Sequence, residues 1–249
     1  DDSGNGYDAV ASGCVWTNAG RYGGAMSFDG FDDYVLAGDT PDFPSWNAYT
    51  VSLWFLHDGG GDFNPCQYGH KIIDKTSMYH DWHLSMWPFN GTISLSIYEG
   101  VSASLCGGPT NYMDGAWHHV AVVREGTNGW FWVDGGLTYS STAMVSVHSS
   151  SPVTVGYSFS TDSYQRKSWS GRIDEVRVFD QALGSNDISR LYAENRLPGT
   201  NAVPIALLVT TNLAVGGCVT VSGEVSFAEG VLFSRPLGDL SCGSFTNAP

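Results

Sequence analysis

Apolar residues recur at every second position through most of the chain. In residues 49–55, Val51, Leu53 and Phe55 alternate with Thr50, Ser52 and Trp54; in residues 92–98, Ile93, Leu95 and Ile97 alternate with Thr92, Ser94 and Ser96. Successive side chains on a strand point to opposite faces, so each segment presents one greasy and one polar face. Residues 117–123, 130–133, 153–157 and 173–179 are rich in aromatic and β-branched types and predict further strands. Asn90-Gly91 separates segments 82–89 and 92–98, and Asp134-Gly135 separates 130–133 and 137–140. Both dipeptides accept the positive φ of a tight hairpin. Asn90-Gly91-Thr92 is also a glycosylation sequon, although the turn alone accounts for it.

Many short strands with regular turns predict an all-β, antiparallel two-sheet sandwich. One helix is expected: Ser185 can cap residues 186–195, where Ile188, Leu191 and Tyr192 form one stripe, and Leu197-Pro198-Gly199 ends it. Beyond that point aromatics thin out and Val, Leu and Ala dominate. The expected division is therefore a sandwich over residues 1–196 and a C-terminal β extension over 197–249, docked on the sandwich or on a neighbouring subunit.

Composition narrows the functional classes. With 42% hydrophobic and 13% aromatic residues the chain can fill a large core. No apolar run reaches the ~18 residues needed to span a bilayer; the most apolar stretch, 203–215, is broken by Thr210, Thr211 and Asn212. The 25 acidic against 11 basic residues, a net charge of −14, argue against nucleic acid, which needs clustered Lys and Arg. The five cysteines form no CxxC pair. Cys66 and Cys106 both sit in loop-like Gly/Pro-rich segments, and Cys218 and Cys242 both sit near the C-terminus, so those pairings are expected, with Cys14 free. Each closure would add roughly 3–4 kcal/mol on the chain-entropy model and would place the protein in an oxidising, extracellular setting. Five free thiols in a cytosolic protein are the alternative.

Five segments together resemble the laminin-G-like, concanavalin A-like jelly-roll domains. They are GRYGGAMSFDG at 20–30 followed by DDYV at 32–35, YTVSLWF at 49–55, DGAWHHVAV at 114–122, GRIDEVRVF at 171–179, and the short helix ending near Tyr192. The loop DSGNGYD at 2–8 looks like the family's N-terminal loop. The resemblance covers residues 2–193 and implies a jelly-roll sandwich. Trp117, Val120, Val122, Ile173, Val176 and Val178 are expected to face the core, with a bulge in the last strand. The superfamily holds lectins, adhesion modules and glycan-cleaving enzymes, so fold alone does not fix function.

The resemblance also implies a structural calcium, because Asp29 and Asp174 lie in motifs where the family holds one. The expected site joins them to Asp2 and Asn5 of the N-terminal loop through carboxylate and carbonyl oxygens. An Asx turn at Asp29 and a solvated Asp174 are the plain alternatives. For a glycan surface, Tyr79, Trp82, Trp87, Tyr112 and Tyr164 are the candidate aromatic platforms, with His80, Asp81 and Arg166 as polar companions. Catalysis finds less support. None of the six Glu belongs to an E-x-D-x-E strand pattern, and neither G-x-S-x-G nor H-E-x-x-H occurs. A lyase built on Tyr79, His80 and His83 stays open.

Family members begin with a strand before the loop resembled by residues 2–8. A strand from 202–209 or 219–227 is therefore expected to complete a sheet, in the same chain or in a neighbour. Three functions follow: a non-catalytic extracellular module that binds carbohydrate and is stabilised by calcium; a subunit of a surface fibre, built from copies of itself by strand addition; and a polysaccharide-active enzyme.

Overall fold

The structure is a computed structural model that describes residues 6–37, 42–60, 69–76, 80–100, 102–108, 110–159, 168–194 and 205–206, the side chains at 103, 106, 194, 205 and 206 excepted. The chain divides into two compact units, 1–212 and 213–249, and every described residue lies in the first. Residues 205–206, inside the expected C-terminal extension, pair with the sandwich strand Ser170–Phe179.

In chain order the strands are β1 (Ala9–Ser12), β2 (Val15–Thr17), β3 (Ala25–Asp29), β4 (Tyr34–Ala37), β5 (Ala48–His57), β6 (His70–Asp74), β7 (His80–Met86), β8 (Ile93–Glu99), β9 (Ser102–Cys106), β10 (His118–Glu125), β11 (Asn128–Val133), β12 (Gly136–Ser141), β13 (Thr154–Val155), β14 (Ser170–Phe179) and β15 (Ile205–Ala206); helix α1 (Ser185–Glu194) lies between the last two. One antiparallel sheet runs β1-β4-β13-β6-β7-β8-β9 and the other β12-β11-β10-β5-β14-β3-β2, with β15 added against β14. The expected all-β sandwich is thus what the chain forms.

The alternation explains the layering. On β5, Tyr49, Val51, Leu53 and Phe55 turn inward; on β8, Ile93, Leu95 and Ile97 do so. Together with Phe28, Trp82, Phe131 and Trp169 they form one core shared by both sheets. Ile173, Val176 and Val178 join it, and the register slips between Asp174 and Arg177 to allow this. Glu175 takes up the slip at φ 54°, a region costly for a side chain.

Of the two turn dipeptides, Asp134-Gly135 forms the two-residue hairpin between β11 and β12, with both φ angles positive, 50° and 76°. Asn90-Gly91 does not: Trp87 N–H bonds the Thr92 carbonyl, and the loop spans 87–92. Helix α1 begins at Ser185, one residue earlier than expected, because the Gly184 carbonyl accepts the first bonds from Asp187 and Ile188.

The Cys14 thiol is free; it donates to the Tyr34 carbonyl, and burial pushes it up to about 11. Cys66, Cys218, Cys242 and the Cys106 side chain lie outside the described residues. So does residue range 207–249, on which the assembly reading depends.

Candidate ligand-binding site

Strand parity separates the aromatic candidates. On β7, Trp82, Leu84 and Met86 face the core. Trp82 is fully buried, its indole N–H donating to the Tyr49 hydroxyl at 2.9 Å, with Phe43 edge-on to both rings. Tyr112 is buried against Phe55 and His118, and its hydroxyl donates to the Gly107 carbonyl. Neither can serve as a sugar platform; both are corrected to core residues. Trp87 is half-buried and its indole N–H donates to the Ser94 hydroxyl. Tyr79, Tyr164 and Arg166 lie outside the described residues.

The other parity of β7 places Asp81, His83 and Ser85 on the outward face of the seven-stranded sheet. Leu36, Thr154, Asp74, His83, Ser96 and Ser104 pair directly in one row across it. Lys71, Asp74 and His83 are nonetheless buried. Burial brings the Lys71 amine down to about 8 against the pull of Asp74 and Asp81, raises the Asp74 acid, and holds His83 well below its ordinary value. His80 instead bonds Glu99, 2.8 Å away. Of the lyase candidates, His80 is tied to a neighbouring strand and His83 is buried on the opposite parity of β7, while Tyr79 lies outside the described residues. Among the described strands, none carries two carboxylates at i and i+2 on one face, the spacing a strand-borne glycosidase pair needs.

Asp29 and Asp174 also part company. Asp29 pairs with Ser170, four residues along β14 from Asp174, a span of about 13 Å. The buried Asp174 carboxylate accepts the Tyr22 N–H at 3.0 Å and fastens the 20–24 turn. Burial raises its pKa above the ordinary value, against that bond. Asp29 Oδ1 accepts the Phe31 N–H and Asp33 Oδ2 accepts the Asp29 N–H, an Asx-type loop. Asp29, Asp32 and Asp33 bring carboxylate oxygens within 4.8 Å of one another, a grouping the sequence reading missed. Asp2 and Asn5 lie outside the described residues.

A pocket of about 320 Å³ opens on the outward face of the other sheet. Phe131 and Val133 of β11 face the core, so Trp130 and Trp132 point outward together. They pair with Val123 and Ala121 of β10, and both indoles are half-buried. Leu183 and the start of α1 form the opposite wall, and Glu125 and Ser185 supply polar groups. Each wall is pinned from below. The Thr50 hydroxyl donates to the Gln181 carbonyl at 2.8 Å and accepts the Leu183 N–H at 3.0 Å. The buried Arg124 guanidinium bonds the carbonyls of Gly126 and Trp46 and so fixes the hairpin tip that carries Glu125. Such second-layer bonding holds a binding shape before any ligand arrives. Sequence alone places Trp130 in a strand without disclosing this pocket. Its detectable signal was Trp130 and Trp132 sharing the face opposite a core stripe.

Residues 28–189 match the sequence model of the family described as the concanavalin A-like lectin/glucanases superfamily, Laminin_G_3. Among solved structures, domain 4 of AbnA, a GH43 extracellular arabinanase from Geobacillus stearothermophilus solved with arabinotriose, aligns with a TM-score of 0.56 at 19% identity, over 73% of this chain and 82% of that one. The receptor-binding domain of botulinum neurotoxin type G aligns at 0.53 and 16%, over 75% and 46%. The serotype D binding domain aligns at 0.56 and 16%, over 76% and 47%. The chain spans about half the length of these neurotoxin domains, and at such identities the likeness is one of fold. No curated protein sequence matches the chain.

Proposed function

Because the chain belongs to the concanavalin A-like lectin/glucanase superfamily, we propose that it is a non-catalytic, extracellular carbohydrate-recognition module that holds its ligand in the Trp130–Trp132 pocket. The observation that carries this reading is the pairing of two outward indoles with a carboxylate at the rim of one preorganised pocket. Indole faces suit the apolar C–H face of a sugar ring, while an ionised carboxylate accepts hydrogen bonds from its hydroxyls. The arabinotriose complex of the AbnA domain is a fold-level precedent for a sugar on this architecture. A cation held by Asp29, Asp32 and Asp33 belongs to the same reading, with fold stability as its role.

A glycan array probed with the purified chain tests the proposal. Saturable binding to a defined group of saccharides, lost in Trp132→Ala, is expected. Binding that is unchanged in Trp130→Ala and Trp132→Ala would move the site elsewhere.

A further inference from the structure

We propose that this pocket selects a stretch of one or two uncharged sugar units and excludes uronates and sulfated sugars; the inference rests on the carbohydrate-recognition reading above. Size is the first argument. About 320 Å³ lies at the small end of the roughly 300–1,000 Å³ of ligand pockets. A space of that volume between Trp130, Trp132 and the start of α1 takes one or two sugar rings and no more.

Polarity is the second argument. Glu125 sits on the pocket's strand side, at the tip fixed by Arg124. As a carboxylate it only accepts hydrogen bonds, so the ligand must donate to it. Opposite stands the start of α1, where Asp187 and Ile188 already bond the Gly184 carbonyl but the Ser185 and Asn186 N–H groups have no intrahelical acceptor, together with the Ser185 hydroxyl. A sugar ring matches this pattern: its hydroxyls donate toward Glu125 and accept from the helix start, while its C–H face lies on indole.

Charge is the third argument. A ligand carboxylate or sulfate in this pocket shares it with Glu125, and Asp187 of α1 lies beside Gly184. The chain's net charge of −14 adds a repulsive field at long range. The helix start offers partial positive charge, but one turn's N–H groups do not offset two carboxylates and that field.

The test is calorimetric titration of the full chain with three series: neutral oligosaccharides of one to six units, the corresponding uronate oligomers, and sulfated oligomers, each also run with Glu125→Gln. The expected result is an affinity per chain that stops rising after the second unit, at least tenfold weaker binding of the acidic series, and at least a tenfold loss for neutral ligands in Glu125→Gln. Trp132→Phe, which keeps an aromatic wall, should lose less than Trp132→Ala. Affinity that climbs steadily to six units, or equal binding of uronates and neutral sugars, overturns the selection of a short uncharged stretch while leaving carbohydrate recognition standing. Absence of binding to every series overturns the recognition reading itself.

Discussion

His57 and His70 stack at 5.0 Å with an interplanar angle of 11°, and Nε2 of His57 lies 2.8 Å from Nδ1 of His70. Because Nδ1 of His57 already accepts the Gly59 N–H, its Nε2 carries the proton and donates to His70. Both rings are buried. Burial, then the neighbouring His70, brings His57 down to about 4, and burial brings His119 down to about 3.

Acid should therefore unfold the protein early. A histidine whose folded value is depressed stabilises fully above its unfolded value of 6.5 and loses that contribution as pH falls toward the folded value. Each tenfold change in proton affinity is worth about 1.4 kcal/mol. Urea unfolding should show stability falling from pH 6.5 to 4, and imidazole ¹⁵N spectra at pH 5 should show His57 and His119 neutral. Constant stability across that window would contradict the assignment.

His118 works in the opposite sense. Its Nδ1 and Nε2 lie 2.8 and 3.1 Å from Asp134 and Asp114, so both nitrogens donate and the ring is an imidazolium. Burial opposes the charge, but the two carboxylates together outweigh it and raise the pKa. The contribution is whole below 6.5 and is lost as pH rises through the raised folded value. The carboxylates are partly exposed, so it amounts to about 1 kcal/mol or less. Asp134→Asn, which still tolerates the turn's positive φ, should lower the His118 pKa in an NMR titration.

Trp82 should matter for folding and leave the ligand untouched. Tyr49→Phe strands a buried indole N–H and should cost about 1–3 kcal/mol. Trp82→Ala should cost about 3–5 kcal/mol. Chemical denaturation measures both, and saccharide affinity per folded molecule should match the parent protein.

Calcium should raise the melting temperature if Asp29, Asp32 and Asp33 hold it. At a hundredfold excess over Kd the gain is about 2.7 kcal/mol, and Asp32→Asn should reduce it. A melting curve unaffected by EDTA and by added calcium, with no metal in native mass spectrometry, would remove the ion.

Much of the fold is legible in the alternation itself. Val51, Leu53 and Phe55, and Ile93, Leu95 and Ile97, face the core as their spacing predicts, and the slip at Asp174 is readable because Ile173, Val176 and Val178 all need that face. The Asp134-Gly135 turn is legible for the same local reason. Trp82 misleads because its place is set by parity with Leu84 and Met86 and by the Tyr49 hydroxyl, which lies 33 residues away in sequence. The pocket needs long-range packing: Trp130 meets Leu183 only after β14 has carried the chain back across the sheet. Asp29 and Asp174 lie in neighbouring strands, but register, which their motifs do not encode, keeps them apart.

The most direct measurement is ¹⁹F NMR of the chain labelled with fluorotryptophan, titrated with a neutral saccharide drawn from the array. The account predicts that the Trp130 and Trp132 resonances, assigned by substitution, move and saturate together, while the core Trp82 and Trp169 stay still. Saturable binding that leaves Trp130 and Trp132 unmoved would contradict it.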